Sequence, residues 1–192
     1  MVKLFDIGND KTRVGIVMFS HDAKMILELN NHLSKSQLLD NISTIQHMGG
    51  GTETSEALRL VRQTGFASSV ARPNVAKIAI VLTDGLSLDA ELTAQEARFA
   101  HAAGINVFAI GIGYGADLDE IRTIASNPDE DYVFTVNDFS SLTSIHEHLA
   151  VKTCKVQPDN HVKNNTSSQP GNYQIQYYLR IGNVVYIRVT SI

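Results

Sequence analysis

The chain of 192 residues has one cysteine, Cys154, and few prolines. A lone thiol excludes a disulfide framework within the chain. Cys154 is either an inert buried thiol or half of a bridge whose partner lies outside this sequence. Basic residues form no cluster, and 16 Lys+Arg against 20 Asp+Glu leave a net charge of −4. That balance argues against a nucleic-acid-binding surface. Apolar stretches such as Ile78–Leu82 are far too short to span a bilayer. The opening Met1–Asp10 lacks the long apolar core of a secretory leader, which predicts a cytosolic chain if Met1 is the natural start and says nothing if the chain is a fragment. There is no G-x-S-x-G elbow, no internal repeat, and no histidine pair at metal spacing. His146 and His148 stand two apart on a predicted helix and so project to different faces.

What remains is an ordinary globular composition, 43% hydrophobic and 19% charged, enough for one domain plus an extra segment. Continuous apolar runs at Arg13–Phe19, Lys77–Gly85, which ends in a turn, and Ile105–Gly113 predict strands buried on both faces. Lys24–Leu29 and Tyr132–Val136 read as further strands. Helical spacing recurs in Lys35–His47 through Leu38, Ile42 and Ile45, and again in Thr54, Ala57, Leu58 and Val61. In Glu91–Ala103 the side carrying Leu92, Phe99, Ala100 and Ala103 is expected to face the core, with Gly104 as the stop. Leu118, Ile121 and Ala125 mark a short helix, and Leu142, Ile145 and Leu149 a last one. Strands alternating with helices predict a mostly parallel α/β sheet, Rossmann-like, with helices on both faces. Ligands of such sheets gather at the carboxyl ends of the strands.

Past Cys154 the composition changes. Residues 155–172 are rich in Asn, Ser, Gln and Pro and read as a flexible linker. Residues 173–192 are β-prone: Ile175, Tyr177, Leu179 and Ile181 alternate, then Gly182-Asn183 and an apolar run follow, which is a hairpin signal.

The segment His47–Leu60, "HMGGGTETSEALRL", hands a glycine turn into a helix and places Thr52 and Thr54 at the junction. A threonine hydroxyl and the aspartate ending a neighbouring strand, Asp84, are suitable oxygen donors for a hard divalent cation, yet two donors alone make a poor site. From the residues alone, Thr54 as a helix N-cap and Asp84-Gly85 as a turn is the simpler account.

The stretches "KTRVGIVMFS", "GGGTETSEAL", "KIAIVLTDG", "GINVFAIGIG" and "EIRTIASNPDEDYVFTV" stand in the order and spacing of a von Willebrand factor type A domain. The chain resembles the extracellular-matrix members, such as the matrilins and the collagen VI chains, over about Leu4 to Cys154. The resemblance implies a metal-ion-dependent adhesion site at the top of the sheet. Its ion is usually Mg²⁺, and an acidic side chain of the partner completes the coordination. Thr52 matches the family's metal-site threonine and Asp84 its metal-site aspartate, while Thr54 is left to serve the helix start.

The family's Asp-x-Ser-x-Ser motif, which follows a first, central strand, does not occur here. The first strand and helix, about 30 residues in all, are therefore expected to be missing. That would leave two strand edges bare and the core open. In matrix-type members a cysteine after the last helix often pairs with one before the first strand, so the resemblance implies that Cys154 bridges to a residue upstream of this chain. The tail "VVYIRVTSI" is apolar and β-branched enough to occupy the vacant central position, although it lacks the aspartate and serine pair.

Other readings compete. "GIGYGA" at Gly111–Ala116 matches a loose dinucleotide-binding pattern, with Asp131 at a suitable distance, but it comes late in the chain and a glycine-rich strand end explains it. An intracellular type A scaffold would carry the same core motifs. Sequons at Asn41, Asn164 and Asn165 favour a secreted protein. The sequence thus predicts residues 1–154 as a partial type A domain, 155–172 as a linker and 173–192 as a tail. The expected role is cation-dependent, non-catalytic binding of extracellular-matrix proteins such as collagens.

Overall fold

The structure, a computed structural model, describes residues 2–46, 49–156 and, by backbone alone, 183–189. Six strands form one sheet in the order β2-β1-β6-β3-β4-β5. They are β1 (Arg13–Phe19), β2 (Ala23–Leu27), β3 (Lys77–Thr83), β4 (Ile105–Ile112), β5 (Val133–Val136) and β6 (Asn183–Val189). Only β2, at one edge, runs antiparallel to its neighbour. The others are parallel.

The apolar runs form buried strands because both sheet faces are covered. In β3, Ile78 and Ile80 enter one core and Ala79 and Val81 the other; in β4, Phe108 and Ile110 alternate with Val107 and Ala109 in the same way. Period-2 alternation thus feeds two apolar layers. The helices are α1 (Lys35–Ser43), α2 (Thr54–Leu60), α3 (Ala90–Ala102), α4 (Leu118–Ile124), the short α5 (Asp129–Tyr132) and α6 (Leu142–Lys155). Those packing on one face are α2, α3 and α4, through Leu58, Ala97 and Ile121; α1 and α6 cover the other through Leu38 and Leu149.

Local chemistry sets the helix ends. Ser34 and Gln37 make a reciprocal capping box at α1, Asp89 caps α3 and Asp117 caps α4. α1 ends at Ser43, short of the expected His47, which lies outside the described residues. α3 is also turned from its expected orientation. Thr93, Ala97 and Ala100 face the core, while Leu92 and Phe99 are exposed. Small residues there let α3 pack closely against α2 and the sheet. Phe99 instead lies under Arg62, whose guanidinium carbon is 5.3 Å from the ring centroid and whose Nη2 is 2.7 Å from Glu96.

The vacancy expected in the middle of the sheet is filled. β6 pairs in parallel with β1, from Arg13↔Asn183 to Phe19↔Val189, and with β3, from Lys77↔Asn183 to Leu82↔Arg188. The expectation of two bare edges is thereby corrected. So is the hairpin: both edges of β6 are taken by parallel neighbours, while the other arm, Tyr173–Ile181, lies outside the described residues. A two-residue turn cannot connect parallel strands, which need a crossover of a dozen residues or more.

Cys154 sits in the last turn of α6, half-buried against the apolar layer that contains Leu149, and forms no disulfide within the chain. Burial pushes its thiol pKa up from 9.0 to about 11, because desolvation penalises the thiolate. Folding therefore favours the protonated thiol. That contribution to stability is complete below pH 9 and fades as the pH rises towards 11. Iodoacetamide should accordingly alkylate Cys154 in the native chain roughly tenfold more slowly at pH 8 than in the unfolded chain, the lower thiolate fraction being partly offset by its greater nucleophilicity. Equal rates would mean the thiol is not shielded.

Candidate metal centre

The carboxyl ends of β1, β6 and β3 converge on one edge of the sheet, because these strands are parallel and in register. Phe19, Val189 and Thr83 are their last residues. Three loops leave this edge: Ser20–Asp22 after β1, Asp84–Asp89 after β3 and Gly113–Asp117 after β4. The glycine turn before α2 meets them there.

Thr52 is buried, 7% exposed, and its backbone ties the glycine turn to the loop after β3. Its carbonyl accepts from Thr54 N at 2.9 Å and from Leu88 N at 3.0 Å. Next to it, Glu53 N donates to Ser20 O at 2.8 Å, which anchors the start of α2 to the end of β1. The Thr52 hydroxyl lies against Gly85: a Cβ placed on that glycine would be 3.5 Å from Thr52 Oγ1. Thr52 and the residue after Asp84 are thus neighbours in space, although 33 positions apart in the chain.

Asp84 emerges directly from β3. Its Oδ1 is buried and has no hydrogen-bond partner. The turn that Asp84-Gly85 makes is closed by another side chain: Thr83 Oγ1 donates to Gly85 O at 2.9 Å and accepts from Gly85 N at 3.4 Å. The Asp84 carboxylate is therefore not consumed by turn formation. A carboxylate oxygen buried without a donor or a cation is destabilising, and a divalent cation is a natural partner for it.

Thr54 corrects an expectation. It is the first residue of α2, 1% exposed, with Oγ1 buried and unpartnered, and it does not cap the helix. The N-cap position belongs to Glu53, whose side chain makes no capping bond. Thr54 is buried one position inside the helix, beyond the capping position.

Several supporting groups were not singled out from the sequence. His21, after β1, braces the glycine turn: its Nδ1 accepts from Gly51 N at 3.3 Å, and Gly50, at φ +137, lies so close that a Cβ there would be 2.5 Å from the His21 ring. Glu120 of α4 accepts from Ser87 N through both oxygens at 3.1 and 3.2 Å, holding the loop beyond Asp84. Gly115 lets the β4–α4 loop pass against Asp84, since a Cβ would come within 2.3 Å of the Asp84 carbonyl oxygen. "GIGYGA" thereby has a structural role in lining this edge. Asp131, considered with it for a dinucleotide, instead pairs with Lys152 of α6. A glycine needed for close approach is visible in sequence only as a glycine; its neighbour is set by the fold. Around the edge the surface is apolar: Leu86 and Leu88 are 59% and 60% exposed, and Tyr114 is fully exposed.

Comparison with known proteins gives the family and the fold. The family model described as von Willebrand factor type A domain matches residues 1–148, and the chain belongs to that family. The collagen alpha-1(XII) chain of Notophthalmus viridescens is 39% identical over 155 residues, 80% of this chain and 16% of that one. Matrilin-2 of Mus musculus is 32% identical over 181 residues, 90% of this chain and 19% of that one. The chain thus spans less than a fifth of the length of either relative. Among solved structures, the proximal thread matrix protein 1 of the mussel byssus, with a zinc-occupied MIDAS motif, superposes with a TM-score of 0.67 at 33% identity, over 71% of this chain and 35% of that one. Manganese-loaded Plasmodium vivax TRAP protein shares the fold, with a TM-score of 0.63 at 17% identity over 76% of this chain and 61% of that one.

If Asp84 Oδ1 is an unsatisfied buried oxygen, neutralising it relieves a cost. Asp84→Asn should raise the thermal midpoint in a chelating buffer, by about 1 kcal/mol in stability, as read by thermal denaturation. A lowered midpoint would show that the Asp84 carboxylate is satisfied within the fold.

Proposed function

We propose that this chain is a protein-binding module of an extracellular-matrix protein, acting at the edge of the sheet where Thr52 and Asp84 lie. The proposed partner is a matrix protein, such as a collagen, that presents an acidic side chain. The observation that carries this reading is the buried, unpartnered Oδ1 of Asp84, with the Thr52 hydroxyl against the adjoining Gly85 and with Leu86, Leu88 and Tyr114 exposed on the neighbouring loops. The polar centre suits capture of a carboxylate through a divalent cation. The apolar surround suits burial against another protein, because exposed apolar patches mark interaction sites and tyrosine is enriched among the residues that dominate interface energies.

Thr52 Oγ1 and the Asp84 carboxylate would hold the cation, with Asp84 acting partly through water. When bound, the ion supplies positive charge that a partner carboxylate can ligate directly. The chain's residues do the rest: His21 and the Ser20–Glu53 bond fix Thr52, while Glu120 and Thr83 fix the loop that carries Asp84. Mg²⁺ is the proposed ion; among similar structures the mussel byssus protein holds zinc and the TRAP protein manganese. Two oxygen donors fall well short of the six that Mg²⁺ prefers. Binding of Mg²⁺ alone is therefore expected to be weak, with water filling the remaining positions.

The relatives named above are collagens and matrilins, which supports a place outside the cell and a binding role rather than a catalytic one. In that setting Cys154 would bridge to a cysteine supplied from outside this sequence.

Calorimetric titration of the chain with Mg²⁺ should give a Kd of roughly 1 mM or weaker. Binding to immobilised fibrillar collagen should fall on chelation. Thr52→Ala or Asp84→Ala should weaken the cation-dependent part about tenfold, ~1.4 kcal/mol, with circular dichroism unchanged. Unchanged binding in both variants would remove Thr52 and Asp84 from the site.

A further inference from the structure

β6 is last in the sequence and central in the sheet, which is an unusual combination. Its two walls are each paired within themselves. β2 and β1 pair with each other on one side, β3, β4 and β5 on the other, and the apolar layer on each face spans both groups. Between them lies a slot bounded by the main-chain groups of β1 over Arg13–Phe19 and of β3 over Lys77–Leu82. The slot is apolar on both faces, since Val14 and Ile78 border it within one layer and Val17 and Val81 within the other.

We propose that this slot is a binding site for an extended, apolar, β-branched peptide strand running parallel to β1 and β3, and that Asn183–Val189 is its ligand. The ligand is the chain's own tail, held in cis. The proposal is independent of the metal reading.

The chemistry of the site selects such a ligand. Parallel main-chain hydrogen bonds give affinity to any extended segment, while the two apolar layers give specificity. A strand covered on both faces must be a near-continuous apolar run. The sequence Val184-Val185-Tyr186-Ile187 meets that requirement, and Arg188 falls near the carboxyl end, at the sheet edge. Covalent geometry lets the tail reach the slot. The 26 residues between Val156 and Asn183 can span up to about 90 Å when extended, far more than the crossover a parallel strand needs. Tethering favours cis occupancy by raising the effective concentration, commonly into the millimolar range for a flexible link. Cutting the tether removes that advantage and turns the tail into an ordinary exchangeable ligand.

The test uses the full chain with a site-specific protease sequence inserted after Ser168, so that cleavage removes no residue. The probe is a fluorescent peptide spanning Gly182–Ile192, and the control is the same peptide carrying Val185→Pro and Ile187→Pro, which removes two ladder donors. After cleavage, the tail should co-elute with the body at one-to-one stoichiometry and dissociate on dilution. The labelled peptide should then replace it saturably, with at least tenfold preference over the proline control, and should raise the thermal midpoint of the body. If the cut body precipitates, the proposal requires the native peptide to keep it soluble and the proline peptide to fail. Three results would overturn it: a body that loses the tail yet keeps the intact chain's thermal midpoint, equal competition by the two peptides, or precipitation that neither peptide prevents.

Discussion

Parallel pairing of Asn183–Val189 between β1 and β3 is the constraint on which the rest of the structure depends. Parallel sheets are covered on both faces, so an unpaired interior edge leaves backbone N–H and C=O groups without water or partners. β1 and β3 are not hydrogen-bonded to each other; each bonds to β6. Their separation, their register and the alignment of their carboxyl ends are therefore set by a segment from the far end of the chain. The two apolar layers inherit the same dependence, since α2 and α3 pack across β1, β3 and β4 on one face while α1 and α6 cover the other.

The candidate metal centre is a consequence of that alignment. Ser20, which ends β1's run, receives the Glu53 amide and so places Thr52. Asp84, which ends β3's run, is braced by Thr83, Glu120 and the close passage of Gly115. The two anchors are linked through the strand between them and through the Thr52 carbonyl, which accepts from Leu88 N of the loop after β3. A shift of β1 relative to β3 by one residue would move Ser20 about 3.3 Å along the strand axis, which exceeds the tolerance of any inner coordination shell. Sheet register and ligand geometry are in this sense one property.

The sequence made most of the flanking architecture legible. Fully buried strands are long apolar runs, and β1, β3 and β4 stood out for that reason; helical periodicity located α2, α4 and α6. It was less reliable on the facing of α3, where Leu92 and Phe99 outweighed Ala97 on hydrophobicity although the small residue is the one that allows close packing. Thr52 and Asp84 were put forward as metal ligands through family resemblance, whereas the residues alone favoured a cap and a turn. The cap at Thr54 failed because Thr54 lies one position inside the helix, and the turn was closed by Thr83. The position of β6 was the least legible. Alternation followed by Gly182-Asn183 has the local signature of a hairpin, and local signals carry no information about a vacancy between two distant strands. The expectation that the family's first strand is missing made a central role for the tail conceivable, and only the topology assigns it.

Amide hydrogen exchange of the intact chain, resolved by residue, tests this account most directly. If Asn183–Val189 is the central strand, its amides should be protected to the same degree as those of Ile78–Leu82, because both open only when the sheet comes apart. Exchange of the Asn183–Val189 amides at the rate of an unstructured chain, with β3 still protected, would contradict it.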